Sequence, residues 1–259
     1  MHRLERRVSS VCRHLCSGRA NIGKVRTMSK EVPKPAGIIG SSGPWPMVLG
    51  AFMLTGLGSL VLSRSVPTIG ELVWLAGFAI TFVIRFPHAQ ANKANQIATS
   101  AHDLSERILL PTMFLAMMVL PLVTIATPYL DFAVYVLPSW VILPGLVLQF
   151  TFWWLFWRSH ADLGRNWSPG LETRDEHKII QTGIYARIRH PMYAAIWLQA
   201  LSQPLLIHNW LGGAFILIAF SAMYFIRVPR EEAMLVERFG DAYLAYMDHT
   251  GRIWPKRFP

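Results

Sequence analysis

The chain has 259 residues, of which 53% are hydrophobic and only 15% are charged, and its mean hydropathy is +0.33. Soluble domains of this size carry about a quarter charged residues, so the composition excludes an ordinary soluble domain and indicates a membrane protein. The formal net charge of +10 does not indicate nucleic-acid binding, because basic residues between apolar segments are better explained by membrane topology.

Six apolar segments approach the length of about 20 residues that a helix needs to cross a bilayer. In chain order they form three hairpins: 45–63 with 69–86, 108–126 with 132–157, and 192–207 with 210–226. Both members of the last hairpin are short, which leaves open a tilted or partly re-entrant arrangement. The predicted fold class is all-α, a polytopic membrane helix bundle with a large loop after residue 157 and a C-terminal amphipathic helix.

The basic residues support this topology independently of hydropathy. If all six segments cross, every one of the 25 Lys and Arg residues except Arg64 falls on the same side, as the positive-inside rule expects of the cytoplasmic side. Both termini are therefore expected in the cytoplasm, at a bacterial inner membrane or the endoplasmic reticulum. The predicted domains are a basic flexible tail (1–44), the first four spans (45–157) and a functional core (158–259).

Two regions of the sequence are assigned no catalytic or binding role. Residues 1–27 are rich in Arg and Ser, as in a transit peptide, and Met28 is an alternative start; Cys12 and Cys16 in this tail give only a weak metal or disulfide signal. The loop 88–106 is polar but contains no recognisable constellation. It is interpreted as a solvated connector containing a surface helix, and no metal site is predicted.

Polar residues collect at the start of the fifth segment, in the stretch GIYARIRHPMY, residues 183–193. Pro191 suits the first turn of a helix, where its missing N–H would have no partner. The free N–H groups of that turn give an electropositive, donor-rich site. Arg189 and His190 lie beside it, so we expect this group to bind an anionic or hydrogen-bonding ligand at the membrane surface. Arg187 is instead expected to contact lipid headgroups.

A second polar collection follows the last apolar segment. Spacings of four, four and three residues predict one stripe of an amphipathic helix, formed by Leu235, Phe239, Tyr243 and Tyr246. Glu231 and Glu232 are expected in its first turn, where carboxylates favour the helix dipole. Arg227 lies four residues before Glu231, and next to a membrane cavity both could contact a ligand.

Three motifs in these collections resemble the isoprenylcysteine carboxyl methyltransferase family, which is related to phospholipid methyltransferases. Within residues 163–255 they are His177-x-Ile-Ile-x-x-Gly-x-Tyr, Arg189-His-Pro-x-Tyr, and Arg227-x-x-x-Glu-Glu followed by Phe239-Gly-x-x-Tyr-x-x-Tyr. The second motif alone is less specific, since sterol reductases carry a related element. The combination of the three spacings is what indicates the family.

The resemblance implies a methyl transfer from S-adenosylmethionine to the carboxylate of a prenylcysteine or similar lipophilic acceptor. The implied cofactor contacts are His177, Lys178, Ile179, Ile180, Tyr185, His190, Pro191, Met192, Tyr193, Glu231 and Glu232. Arg227 matches the arginine that faces the acceptor carboxylate, and Arg189 is the second candidate catalytic residue. One polar contact of the family has no equivalent at Gly170 or Leu171, and is either missing or supplied by Glu172 or Asn166.

The residue types suit this chemistry, because a carboxylate is already ionised at neutral pH and needs no general base to attack a sulfonium methyl group. Three alternatives remain open. N-methylation of a lipid amine such as phosphatidylethanolamine would need a base, for which Glu231 or His190 are the candidates. The others are an NADPH-dependent sterol-type reductase and a non-enzymatic membrane scaffold or transporter subunit.

Overall fold

The computed structural model describes residues 67–93, 99–100, 104–164, 172–173 and 179–256. The N-terminal tail, the predicted segment 45–63, and the candidate site residues His177 and Lys178 lie outside the described residues. The structural statements below concern the described ranges only.

Helices make up most of the described chain. They are α1 (Ile69–Lys93), α2 (Leu104–Phe114), α3 (Leu120–Ala126), α4 (Ile142–Leu163), α5 (Pro191–Leu206), α6 (Phe215–Phe239) and α7 (Asp241–His249). A π-helical turn, Leu115–Val119, joins α2 to α3, and a second, Trp210–Ala214, leads into α6. Short 3₁₀ turns occupy Pro128–Ala133, Ser139–Val141 and Gly183–Ala186.

Extended structure is limited, within the described ranges, to two two-residue strands and two isolated bridges. Strand β1 (Thr99–Ser100) pairs antiparallel with β2 (Glu172–Thr173), and the bridges join Val134 to Asn209 and Ile188 to Gly251. The predicted all-α membrane bundle is therefore confirmed. Part of the surface helix predicted within the loop 88–106 is the end of α1, which continues to Lys93, and Thr99–Ser100 form β1; the rest of that stretch lies outside the described residues.

Four helical stretches in the described part of the chain are long and apolar enough to cross a membrane, which makes the protein an integral membrane protein. They are Ile69–His88, Ser105–Ala126, Ser139–Leu163 and Trp210–Phe239. Helix α5 has only 16 residues, or about 24 Å at 1.5 Å per residue, which is less than the roughly 30 Å of a hydrocarbon core. It therefore fits the short arrangement that the sequence left open rather than a full span.

Short contacts define two ends of the bundle. At the first, which we call the turn end, the turns 128–141 and 207–209 meet: the Tyr135 N–H donates to the His208 carbonyl at 3.1 Å, and Asn209 Nδ2 donates to the Leu130 carbonyl at 2.7 Å. At the opposite end, the polar end, Glu106 at the start of α2 and Arg189 just before α5 contact the C-terminal part of α6. The two polar collections found in the sequence are therefore on the same side of the bundle.

Helix α5 packs closely on α4, since Ala195 and Phe152 are almost fully buried at their contact. Small residues such as Ala allow the backbones of membrane helices to approach. On another face of α5, Phe220 and Ile216 of α6 pack around Ala200 and Met113. The start of α5, which carries the motif at 189–193, is thereby fixed between α4 and α6.

The C-terminal helices differ from the sequence prediction. Helix α6 runs without interruption from the apolar segment to Phe239, so Glu231 and Glu232 lie in its interior and not in the first turn of a separate helix. The break comes instead at Gly240, whose φ of +54° is in the left-handed region that favours glycine. It divides the predicted stripe, leaving Leu235 and Phe239 on α6 and both tyrosines on α7.

Candidate functional site

The loop that leads into α5 is attached to the end of α4 by Asp162. The Ile184 N–H donates to Asp162 Oδ2 at 2.8 Å, and Arg158, one turn earlier on α4, lies 3.0 Å from the same carboxylate. Tyr185 is buried, and its hydroxyl donates to the Ser159 carbonyl at 3.3 Å. The loop is consequently held against the polar end before it reaches Arg189.

Glu232 accepts hydrogen bonds from three side chains. Arg189 Nε and His190 Nε2 each lie 3.2 Å from Glu232 Oε1, and Arg252 contacts both oxygens. An ionised carboxylate can only accept, so His190 carries a proton on Nε2. Because the Glu232 side chain is only 6% exposed, its acceptor capacity is taken up within the protein, and it joins the loop, α6 and the C-terminal segment.

Arg189 is also directed away from any open space. Its guanidinium donates to the carbonyls of Met247 and Thr250 as well as to Glu232, and its side chain is only 7% exposed. These contacts fix Arg189 between α6 and the end of α7. The arrangement suits a residue that positions its neighbours.

Glu231, the next residue on α6, has different surroundings. The Tyr193 hydroxyl donates to Glu231 Oε2 at 2.8 Å, and His190 Nδ1 lies 3.9 Å from Oε1. The Glu231 side chain is 28% exposed, so this carboxylate retains acceptor capacity beside the first turn of α5. His190 stands between the two carboxylates, with one ring nitrogen facing each.

Arg227 pairs with a carboxylate on another helix. Its Nε lies 3.4 Å from Glu106 Oε1 at the start of α2, and both side chains are buried, at 7% and 5% exposure. Glu106 Oε2 has no hydrogen-bond partner among the residues that the structure describes. Arg227 and Glu231 lie one turn apart on α6, so the two pairs are neighbours on that helix.

An aromatic wall borders these charges. Tyr193 packs edge-on to Tyr224 with ring centroids 6.1 Å apart, and Trp197 packs edge-on to Tyr224 at 5.7 Å. Trp197 Nε1 is buried and has no hydrogen-bond partner within the described ranges. The electron-rich faces of such rings attract cations, so the wall complements the carboxylates.

The remaining candidates are less engaged. Pro191 is buried at the first position of α5, and no side chain caps this helix start. Met192, Ile179 and Ile180 are half-buried. Two residues of the site carried no sequence signal: Glu106, which stood in the loop interpreted as a solvated connector, and Arg252, which follows the last motif.

Residues 140–237 match the model of the isoprenylcysteine carboxyl methyltransferase (ICMT) family. This segment is therefore similar to that family. It contains the motifs at 189–193 and 227–232 whose side chains meet in the structure, so the resemblance inferred from the sequence is confirmed.

Curated relatives of this family match the chain over shorter lengths. The protein-S-isoprenylcysteine O-methyltransferase of Schizosaccharomyces pombe is 34% identical over 71 residues, which are 27% of this chain and 30% of the relative. That of Saccharomyces cerevisiae is 29% identical over 90 residues, 34% of this chain and 38% of the relative. The human protein of the same name is 28% identical over 75 residues, 29% of this chain and 26% of the relative.

The chain thus covers about a third of the length of the curated relatives it matches. A solved structure described as the eukaryotic intramembrane Ras methyltransferase ICMT is similar over 82% of this chain and 85% of its own, with 17% identity and a TM-score of 0.43.

Proposed function

We propose that the protein transfers a methyl group from S-adenosylmethionine to the carboxylate of a prenylcysteine or a similar lipophilic acceptor. The observation that supports this most directly is the meeting of the two family motifs at the polar end, where His190 and Tyr193 contact the Glu231–Glu232 pair of α6. A water-soluble donor and a lipid acceptor need a site of this kind, at the border between loops and apolar helices.

The residues present fit such a methyl donor. A sulfonium compound with an ammonium group and a ribose needs acceptors and an environment that favours positive charge. Glu231 has spare acceptor capacity, the buried Glu106 Oε2 has no partner within the described ranges, and the rings of Tyr193, Trp197 and Tyr224 line the same region. The uncapped N–H groups at the start of α5 favour a carboxylate.

S-adenosylmethionine supplies an activated methyl group when bound, and the protein's own residues then contribute position and charge. Glu231 accepts hydrogen bonds from the donor, the first turn of α5 faces the donor's carboxylate, and His190 lies between the two. In this proposal, Arg189 and Glu232 fix the His190 ring and do not themselves contact substrate, because their polar atoms are already paired. His177, Lys178, Ile179, Ile180, Tyr185, Pro191 and Met192 complete the proposed donor surface.

Arg227 is the proposed contact for the acceptor carboxylate. A guanidinium presents a planar set of donors that a lysine ammonium does not reproduce. The buried Glu106 beside it partly offsets the charge of Arg227 in an apolar setting. Because the acceptor arrives as a carboxylate, the site needs no base to remove a proton from it.

The experiment is incubation of the purified protein with radiolabelled S-adenosylmethionine and either a prenylcysteine analogue or phosphatidylethanolamine. A base-labile methyl ester on the prenylcysteine is the expected product. A stable N-methyl lipid, or no transfer to either acceptor, would overturn the proposed reaction.

We expect Arg227→Ala to lower kcat/KM for the acceptor about 100-fold, because truncating one partner of a buried charged contact costs about 2–5 kcal/mol. Arg227→Lys should recover only part of this loss. Arg230→Ala is the matched control, since Arg230 lies three residues further along α6, is exposed, and contacts Ser105. Equal losses in Arg227→Ala and Arg230→Ala would assign the effect to general destabilisation.

A further inference from the structure

We propose that Arg252 is a positioning residue of the donor site, and that the segment 246–252 is a structural part of that site. The inference rests on the proposed function and adds to it a residue outside the family match, which ends at residue 237. Arg252 acts through Glu232 on His190 and does not itself touch the substrate.

The backbone of the segment 246–252 pairs with the backbone that leads into α5. After α7, the chain returns along the motif: the Arg189 N–H donates to the Gly251 carbonyl and the His190 N–H to the Arg252 carbonyl, both at 2.8 Å, and the Gly251 N–H donates to the Arg187 carbonyl at 3.1 Å. The two stretches form a short parallel bridge between Ile188 and Gly251. The backbone from Arg187 to His190 is therefore fixed by residues 251 and 252.

Side-chain hydrogen bonds donated from each of the two stretches to the other add to this backbone pairing. Arg189 donates to the carbonyls of Met247 and Thr250, and the Tyr246 hydroxyl donates to the Tyr185 carbonyl at 2.6 Å. Burial raises the pKa of Tyr246 to about 12, so its hydroxyl remains a donor at neutral pH. A Cβ atom on Gly251 would stand 1.5 Å from the Trp254 carbonyl oxygen, so the tight turn requires glycine there.

Arg252 connects this segment to the donor site through charge. It is the one donor that contacts both oxygens of Glu232, while Arg189 and His190 share Oε1. Its hydrogen bond to Glu232 raises the pKa of Arg252 above its ordinary value. With the carboxylate anchored from the C-terminal side, the direction in which His190 Nε2 donates is fixed, and Nδ1 is left facing Glu231.

The Arg252 side chain is 45% exposed, so it buries little surface and its removal should leave the apolar bundle intact. What it should change is the orientation of Glu232 and His190. The expected signature is weaker donor binding and a raised KM for the donor, with a smaller change in kcat once the donor is saturating.

The test compares Arg252→Met, Arg252→Lys and the control Lys256→Met in the full-length protein. Lys256 lies four residues after Arg252, and among the described residues it donates to the Met247 and Asp248 carbonyls and not to Glu232. Two readouts are measured: S-adenosylmethionine affinity by calorimetry, and hydrogen exchange of the Arg189 and His190 amides. Arg252→Met should weaken affinity about tenfold and accelerate exchange at both amides about tenfold, Arg252→Lys should restore affinity to within about threefold, and Lys256→Met should change neither.

Unchanged exchange and affinity in Arg252→Met would overturn the inference, as would Arg252→Lys behaving no better than Arg252→Met. The exchange measurement needs no donor and no turnover. If the wild-type protein bound no S-adenosylmethionine, the proposed function would fail, while accelerated exchange in Arg252→Met alone would still establish that Arg252 fixes the loop.

Discussion

Glu231 and Glu232 are neighbours in sequence and opposites in environment. Glu232 is buried and accepts hydrogen bonds from two arginines and a histidine. Glu231 accepts one hydrogen bond from a tyrosine hydroxyl, and its side chain is partly exposed. Consecutive residues on a helix point about 100° apart, so one carboxylate faces the C-terminal segment and the other faces the start of α5. The pair therefore divides into a residue that supports the site and one that remains open to a ligand.

Because the two carboxylates differ in this way, we expect replacement by glutamine to weaken donor binding at one position and to lower stability at the other. Glu231→Gln should weaken S-adenosylmethionine binding by about tenfold and leave the midpoint of thermal unfolding nearly unchanged. Glu232→Gln should lower the stability by about 3–5 kcal/mol, because it leaves the buried Arg189 without its carboxylate. Thermal unfolding in detergent and calorimetry on the same preparations separate the two effects. A larger stability loss in Glu231→Gln than in Glu232→Gln would contradict this assignment.

The residues that the sequence could identify are those within spaced motifs. His190, Tyr193, Arg227, Glu231 and Glu232 stand at fixed intervals, and local spacing is visible in a chain. Glu106 and Arg252 belong to the site only because distant segments pack against α6, so no local pattern distinguishes them from other charged residues. The contact between Arg227 and Glu106 is of the same kind, because a spacing within α6 cannot indicate a carboxylate on α2.

At the scale of elements, Gln203 of α5 joins two irregular turns in the apolar interior. Leu120 donates to Leu115 in the first π turn, and Pro121 has no N–H to offer, so the Ala116 carbonyl loses its donor within the helix. Gln203 Nε2 supplies it at 3.0 Å, and also donates to the Gly212 carbonyl of the second π turn at 2.9 Å. The Gln203 carbonyl oxygen in turn accepts from Trp74 Nε1 of α1 at 3.2 Å.

Gln203→Leu should therefore be strongly destabilising, since each buried carbonyl left without a donor costs about 1–3 kcal/mol. Gln199→Leu is the matched control: it lies one turn earlier on α5, and its Oε1 has no partner among the described residues. We expect a large fall in the midpoint of thermal unfolding for Gln203→Leu and little or none for Gln199→Leu. Similar falls in both would show that the π turns do not depend on this amide.

Element boundaries show what hydropathy can and cannot predict. The apolar segment was predicted to end at residue 226, and this is where the composition changes, but α6 continues for another 13 residues to Phe239. Hydropathy reports where the lipid-compatible surface ends. A helix ends where its backbone is interrupted, and here Gly240 provides the interruption. The amphipathic stripe was correctly located, but its division by this glycine depends on a backbone angle.

At the scale of the whole molecule, the two ends differ in charge: the polar end holds the arginines and glutamates of the candidate site, and the turns of the turn end contain one acidic residue, Asp131, and neither Lys nor Arg. The placement of Lys and Arg in the sequence predicts this asymmetry, because the topology depends only on which stretches between the apolar segments are basic. We propose that the polar end faces the cytoplasm, where a soluble donor is available and where the positive-inside rule places basic loops.

Single cysteines test this orientation. In a variant with Cys12→Ser and Cys16→Ser, Tyr129→Cys reports on the turn end, where Tyr129 is 76% exposed, and Ala242→Cys reports on the exposed side of α7 at the polar end. In sealed vesicles of known orientation, a membrane-impermeant maleimide should label Ala242→Cys only from the cytoplasmic side and Tyr129→Cys only from the other. Labelling of both from one side would refute the arrangement of the two ends.

The continuity of α6 has a consequence for which acceptors the protein can use. Arg227 and Glu231 are four residues apart on one rigid helix, so their separation along its axis is fixed at about 6 Å. No loop movement can lengthen or shorten the interval between the proposed contacts for the acceptor carboxylate and for the methyl donor. Variation among acceptors must then occur in the lipid tail, which lies beyond this fixed interval, and selection by the site acts on the distance from the carboxylate to the first bulky group.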